Sequence, residues 1–450
     1  MKELKTLLLL LFCFFSLLGC QDASKSDSLN REFVLSKEDS ILLDKLQKQT
    51  FEYFWSGALP NSGLAAERIH VDGIYPQNDQ NIVTTGGSGF GLMAILVGLE
   101  HGWITKDEAL GRYEKILCFL ENADRFHGAW AHWMYDETGK AKPFGEKDNG
   151  GDLVETAFLM QGLLTVAEYY RGGSESELSI VNRIQKLYED VDWHWYTQGG
   201  QNVLYWHWSP EYAWGMNFPV HGYNECLIMY VLAASSPTHS ISKEVYDEGW
   251  ARGGAIVSND KFYGLPTILK FNGGKSAPLF WAHYSYLGLD PRNLSDAYAN
   301  YWKLNRNQAY SDYLYCVDNP QRYKGYSEKC WGLTASYTMD GYTAHSPRND
   351  RGVISPTAAL SSMPYMPKET MAFIRFLYNE HPEYIGKYGP YDAFSMENNW
   401  LAKSYLAIDQ GPIPVMIENY RSGLLWNLFM KNKDVQRGLK KLGYTTKSRI

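Results

Sequence analysis

Apolar residues recur at helical spacing along most of this chain. Leu42, Leu43, Leu46, Tyr53 and Phe54 fall on one stripe and predict a first helix. Residues 88–101 are apolar nearly all round, which predicts a buried second helix. Thr105-Lys106-Asp107-Glu108 has the form of a capping box and opens a third. Residues 153–170 predict a fourth, again very apolar, and 178–188 a fifth. Further helices are expected at 224–234, 243–252, 294–308, 357–363, 368–380, 398–408 and 414–430. Long aromatic loops lie between them. Residues 129–135 followed by Asp136-Glu137-Thr138-Gly139 read as a hairpin, and 193–195 with 203–208 as a second pair of short strands. Long ordered loops in a compact domain usually carry function. About a dozen helices in inner and outer layers, with rich loops at one end, fit an all-α (α/α)6 toroid. A looser helical array is the alternative, and periodicity does not separate the two.

The N-terminus changes the compartment. Lys2 and Lys5 precede an apolar run over 7–18, too short for a membrane span and placed as a secretory signal. The run ends in Leu17-Leu18-Gly19-Cys20, the form of a bacterial lipobox, in which Cys20 is lipidated; an ordinary signal with an incidental cysteine is the plainer alternative. A polar run over 21–30 reads as a tether. The expected organisation is a signal at 1–19, a tether at 20–36 beginning with the lipidated cysteine, and one catalytic domain at 37–450. The expected location is the periplasmic face or the cell surface, with contact to the membrane through lipid alone and a monomer as the default.

A net charge of −7 argues against a nucleic-acid partner. Cys118, Cys226, Cys316 and Cys330 form no C-x-x-C pair, so neither a zinc site nor a redox motif is expected, and no disulfide pairing follows from spacing. Aromatics make up 15% of the chain, with 33 Tyr and 15 Trp. A large aromatic core explains most of them; the excess suits a site that packs sugar faces.

The glycine-rich stretch 84–91 matches no nucleotide-binding or nucleophile-elbow pattern and reads as a tight entry to the second helix. His194, His207 and His221 stand singly in loops and read as wall residues. No cofactor or metal is expected. Carboxylates are the better candidates. Asp148, Asp152 and Glu155 are spaced to share one face of a helix start, where like charges raise a pKa. Their plainer role is to complement the helix dipole. Glu225 stands at a loop-to-helix junction before an apolar run, which suits a general acid. Asp409 ends an apolar stretch before Gly411-Pro412, where a carboxylate at a helix C-terminus is electrostatically disfavoured. Glu418 and Arg421 form an ion pair or line the same pocket.

The blocks Trp208-Ser209-Pro210-Glu211, 217–225, Pro278-Leu279-Phe280-Trp281-Ala282-His283-Tyr284, 331–336, 344–347, 354–359 and 407–412 resemble the bacterial glucoamylase-like family, glycoside hydrolase family 144. The resemblance runs in order from about residue 40 to 432. It implies an (α/α)6 barrel with a deep pocket, an anomer-inverting mechanism, and hydrolysis of β-1,2-glucan by endo attack or by release of sophorose, rather than of starch. It implies that Asp148, Asp152, Glu155, Glu225 and Asp409 are the acidic pocket residues. Glu225 is then the general acid, and Asp409 or the 148/152/155 trio activates water. Trp214, Tyr223, Trp281, His283, Trp331, Tyr365 and Arg421 are expected to contact sugar. The competing readings are a hydrolase of another glucan, α-linked or β-1,3, and a glycan-binding lipoprotein without turnover.

Overall fold

The computed structural model describes residues 33–75, 78–271 and 274–446. The expected signal, Cys20 and the tether up to residue 32 lie outside the described residues. The chain divides into two compact units, 1–40 and 41–450. In the described part of the first, Asp39 N–H donates to Ser36 Oγ and Ser36 N–H to Asp39 Oδ2, a reciprocal cap that starts a helix.

The larger unit is helix-rich. In chain order the helices are α1 (Lys37–Trp55, which begins in the first unit), α2 (Thr85–Glu100), α3 (Lys106–Asn122), α4 (Leu153–Tyr170), α5 (Glu175–Glu189), α6 (Leu227–Ser235), α7 (Tyr301–Asp318), α8 (Pro356–Leu360), α9 (Pro367–Arg375), α10 (Ala407–Gln410), α11 (Pro412–Arg421), α12 (Leu424–Lys431) and α13 (Lys433–Leu442). Two kinds alternate. Nearly every residue of α2, α4 and α6 is buried, as an apolar surface on all sides requires. The amphipathic α3, α5 and α13 bury one stripe each. No helix among the described residues is long and apolar enough to cross a membrane.

The α2–α4 contact is the most extensive between helices, and glycine makes it close. A Cβ on Gly162 would stand 2.1 Å from Gly89 O, and one on Gly89 would stand 2.2 Å from Phe158 O. Only two side-chain-free positions facing each other let the backbones meet. Outside them, Thr105 caps α3 as expected: its side chain accepts from Glu108 N–H, and Glu108 Oε2 accepts from Thr105 N–H at 2.7 Å.

Several expectations change. Residues 398–408 are not a helix. Trp400–Ala402 pairs antiparallel with Ala393–Ser395, and Ser404–Leu406 pairs with Arg68–His70. The turn that makes this hairpin places Asn399 in the left-handed region, φ 46°. The helix expected at 294–308 begins later, at Tyr301, because Asn300 caps it by accepting from Lys303 N–H at 2.8 Å, and it runs on to Asp318. Residues 414–430 split at Gly423, φ 71°, into α11 and α12, and α13 follows without having been expected. Residues 243–252 hold a wide π-turn, Val245–Trp250. The hairpin at 129–139 forms as Trp133–Tyr135 with Ala141–Lys142 and gains Ile82–Thr84 as a third strand. His207–Trp208 pairs with Gly151–Asp152 rather than with 193–195, where a 3-10 turn, Trp195–Thr197, stands instead. The four described cysteines are free; Cys118 is exposed and Cys226, Cys316 and Cys330 are buried.

Candidate active site

A cavity of about 530 Å³ opens where the strand pairs meet the starts of α2, α4 and α6. Three carboxylates line it: Glu67, Glu155 and Glu225. Arg68, His132 and Lys142 bring positive groups, and Trp133, Phe144, Trp206, Phe280, Tyr284, Tyr337 and Tyr342 supply aromatic walls.

Glu155 sits in the first turn of α4. Its Oε2 accepts from Gly86 N–H at 2.7 Å. A Cβ at Gly86 would lie 2.5 Å from that oxygen, so the glycine-rich entry to α2 admits the carboxylate as well as turning the chain. Burial pushes Glu155 up to about 7, although His132 pulls the other way. Glu225 lies in the turn before α6, half-buried, with its main-chain oxygen bonded by the Ser285 hydroxyl. Burial raises it to about 7 as well, with only its own backbone and Cys226 opposing.

The other two acids of the expected trio do not line the cavity. The helix starts at Leu153, so Asp152 is its cap and Asp148 belongs to the preceding turn. Asp152 is fully buried. Its Oδ1 accepts from Val154 and Glu155 N–H, and its Oδ2 accepts from His132 Nδ1 at 2.9 Å. His207 Nε2 stands 3.3 Å from Asp148 Oδ2 and 3.8 Å from Asp152 Oδ2. The two aspartates therefore meet through two imidazoles rather than along a helix face.

Asp409 stands in the short α10, because the helix expected to end there is a strand. It is buried behind the wall residues Tyr284, Leu406 and Ile408, with Oδ1 3.4 Å from the Tyr284 hydroxyl. Asp392 is its acidic neighbour, and Asp409 Oδ2 and Asp392 Oδ1 are both buried without a hydrogen-bond partner among the described residues. Burial and then the Asp392 charge hold Asp409 well above the usual carboxylate range, while burial lifts Asp392 to about 6.

None of the seven expected sugar contacts lines this cavity. Trp214 packs among Trp195, Tyr196 and Tyr205. The buried Tyr223 donates to Gln308 Oε1 at 2.9 Å and meets Trp281 edge-on. His283 is buried beside Ser362, and burial takes its imidazole down to about 3. Trp331 is fully buried, and Tyr365 donates to Ala282 O. Arg421 pairs with Asp44 at 2.6 Å and Gln47 at 2.9 Å, while Glu418 pairs with His101. These residues, some in matched blocks and some beside them, pack with neighbours outside this cavity lining. The residues that do face the cavity and were not foreseen are Glu67, Arg68, His132, Trp133, Phe144, Trp206, Phe280, Tyr284, Tyr337 and Tyr342. Phe280 and Tyr284 lie in a matched block, so those two carried a signal.

Among the described residues one group, His132, Asp148 and Asp152, brings metal-ligand atoms within 4.8 Å of one another. Those atoms are already engaged, His132 with Asp152 and Asp148 with His207, and the buried His207 Nδ1 beside them lacks the acceptor that orients a metal-bound imidazole. The arrangement fits ion-paired imidazoles and carboxylates better than a cation cradle.

The sequence profile of the family described as "Putative glucoamylase" matches residues 217–433. A crystal structure of an endo-β-1,2-glucanase from Chitinophaga pinensis, in complex with sophorotriose and glucose, is 58% identical with a TM-score of 0.90 and covers 92% of this chain and 99% of that one. The chain belongs to the glucoamylase-like family. A second family structure, a putative glucoamylase from Bacteroides caccae ATCC 43185, is 60% identical, TM-score 0.90, over 91% of this chain and all of that one. An exo β-1,2-glucooligosaccharide sophorohydrolase (non-reducing end) from Parabacteroides distasonis is 44% identical over 426 residues, 90% of this chain. This family member spans 58% of that relative's length.

Proposed function

We propose that this chain is a glycoside hydrolase of β-1,2-glucan that works by an anomer-inverting attack of water, either within the polymer or by releasing sophorose. The observation that carries the reading is the pair of glutamates lining one cavity, Glu155 buried and Glu225 half-buried, both poised near neutrality. Clustered carboxylates poised near the working pH are what proton transfer needs and what a passive sugar-binding surface does not. The activities of the family relatives supply the linkage.

The two glutamates differ in their neighbours. Glu155 faces the imidazole of His132 and a backbone N–H, which favour its charged form. Glu225 faces no such cation among its electrostatic partners. Glu225 is therefore the acid that protonates the departing glycosidic oxygen, and Glu155 the base that takes the proton of the attacking water. Inverting hydrolysis asks for the two carboxyls to flank the sugar roughly 6.5–9.5 Å apart. Asp409, behind Tyr284, supports the wall rather than touching the water, and Asp148 and Asp152 act through the histidines. The alternation of buried and amphipathic helices supports an (α/α)6 toroid as the frame. The N-terminal pattern supports export and anchoring through lipidated Cys20, with the domain acting as a monomer.

The purified protein should be given linear β-1,2-glucan, laminarin and starch, and the products sized by mass spectrometry. Sophorose or short sophoro-oligosaccharides from the first polymer support the reading. Turnover of laminarin or starch alone overturns the substrate. Tight binding without cleavage of any polymer overturns the enzyme.

A further inference from the structure

We infer that His132 is a positioning residue of the reaction: its ring, tied to the Asp152 that caps α4, sets the place and surroundings of Glu155, the base that receives the proton of the attacking water. This rests on the hydrolase reading above and adds a residue to it.

The ring is held at Nδ1, on one face and at an edge, and its remaining side opens to the cavity. Nδ1 bonds to Asp152 Oδ2 at 2.9 Å. One face stacks on Phe144, centroids 4.2 Å apart and planes 25° apart, and Trp133 meets the ring edge-on. The backbone is tied too, since His132 O accepts from Thr85 N–H at 3.1 Å, next to the Gly86 N–H that binds Glu155. Asp152 in turn cannot swing, because its other oxygen caps α4 through two N–H groups. One carboxylate thus fixes the helix that carries Glu155 and the imidazole that faces it.

His132 faces Glu155, Asp152 and Asp148, and Glu155 faces His132, Asp152 and, from the neighbouring strand segment, Glu67. His207 reaches the same Asp148 and Asp152 oxygens. Lys142 and Arg68 lie over the Trp133 ring at 4.6 and 5.9 Å. Burial alone would neutralise the imidazole, but the charge of Glu155, the Asp152 hydrogen bond and the charges of Asp152 and Asp148 outweigh it and hold His132 at about 10. Glu155 nonetheless stands at about 7, as Glu225 does; what distinguishes the two is the imidazole beside Glu155, whose charge favours the carboxylate form.

The test is the pH dependence of kcat/KM on β-1,2-glucan for wild type, H132Q and D152N. Removing the cation leaves Glu155 easier to protonate, so the acid limb of H132Q should move up by about one unit or more, with kcat at the optimum down at least about tenfold and KM little changed. D152N keeps an oxygen for the α4 cap and loses the charge that locks the ring; its acid limb should move the same way, and it carries the test if H132Q does not fold. An unmoved acid limb in the folded variant, whatever the loss of rate, reduces His132 to a structural role and overturns the inference. Loss of wild-type activity on chelation, restored by a divalent cation, overturns it in favour of a metal site. Failure of the wild type to cleave the glucan in the same assay defeats the hydrolase reading instead, so the two failures are distinguishable.

Discussion

Replacing Glu225 by Gln removes a proton donor and almost nothing else. The substitution is nearly isosteric, and the carboxylate's own favourable contacts are limited to its backbone and Cys226, so the fold should persist. With its carboxyl raised to about 7, wild-type Glu225 is mostly protonated one unit below that pH and mostly ionised one unit above it. The wild-type rate should therefore fall on the basic side through about pH 7. General acid catalysis contributes about 10²–10⁴ in rate, equivalent to ~3–5 kcal/mol of transition-state stabilisation. E225Q should lose kcat by that factor on β-1,2-glucan, with KM nearly unchanged, and its basic limb should disappear. A sophoroside with a nitrophenolate leaving group needs no proton to depart, so on that substrate E225Q should recover most of its rate. Initial rates between pH 5 and 9 on both substrates decide the matter. Near-wild-type turnover of the polymer, or an equal loss on both substrates, would refute the assignment of the acid.

Other perturbations test other parts of the account. Gly162→Ala pushes a methyl against Gly89 O and should destabilise the protein by ~1–3 kcal/mol or more in urea unfolding, with poor activity following from misplacement of α4 rather than from lost chemistry. Arg421→Met breaks a pair with Asp44 far from the cavity wall; kcat/KM should stay within about twofold while stability drops by no more than about 1 kcal/mol. The raised pKa of His132 stabilises the fold fully below the ordinary histidine value, and that contribution is lost as pH rises from about 6.5 toward about 10. Urea midpoints of wild type should accordingly fall between pH 6 and 9, and H132Q should show a shallower fall.

The helices that carry the site were legible because their signals are local. The apolar run 153–170 coincides with α4, and the Thr105–Glu108 exchange needs only four consecutive residues. Residues 398–408 were misread because their partners are distant: Ser404–Leu406 is a strand only because Arg68–His70 lies beside it. The same limit applies to the chemistry. Spacing and family resemblance picked out Glu155 and Glu225, yet spacing grouped Asp148 and Asp152 with Glu155 by a helix face that does not exist. What those aspartates do depends on His132 and His207, which reach them across loops and leave no mark on any periodicity. The expected sugar contacts stand outside this cavity for a related reason. A Trp or Tyr in or beside a matched block serves packing equally well, and Trp331 and Tyr365 are enclosed on all sides.

The central claim is a single-displacement attack by water on a β-1,2-glucosidic bond, prepared by Glu155 and Glu225. Proton NMR of the first turnovers on linear β-1,2-glucan, read before mutarotation, tests it most directly. The account predicts that the newly formed reducing end appears as the α-anomer. A β-anomer appearing first would mean retention, a covalent intermediate and a different pairing of carboxylates, and would contradict it.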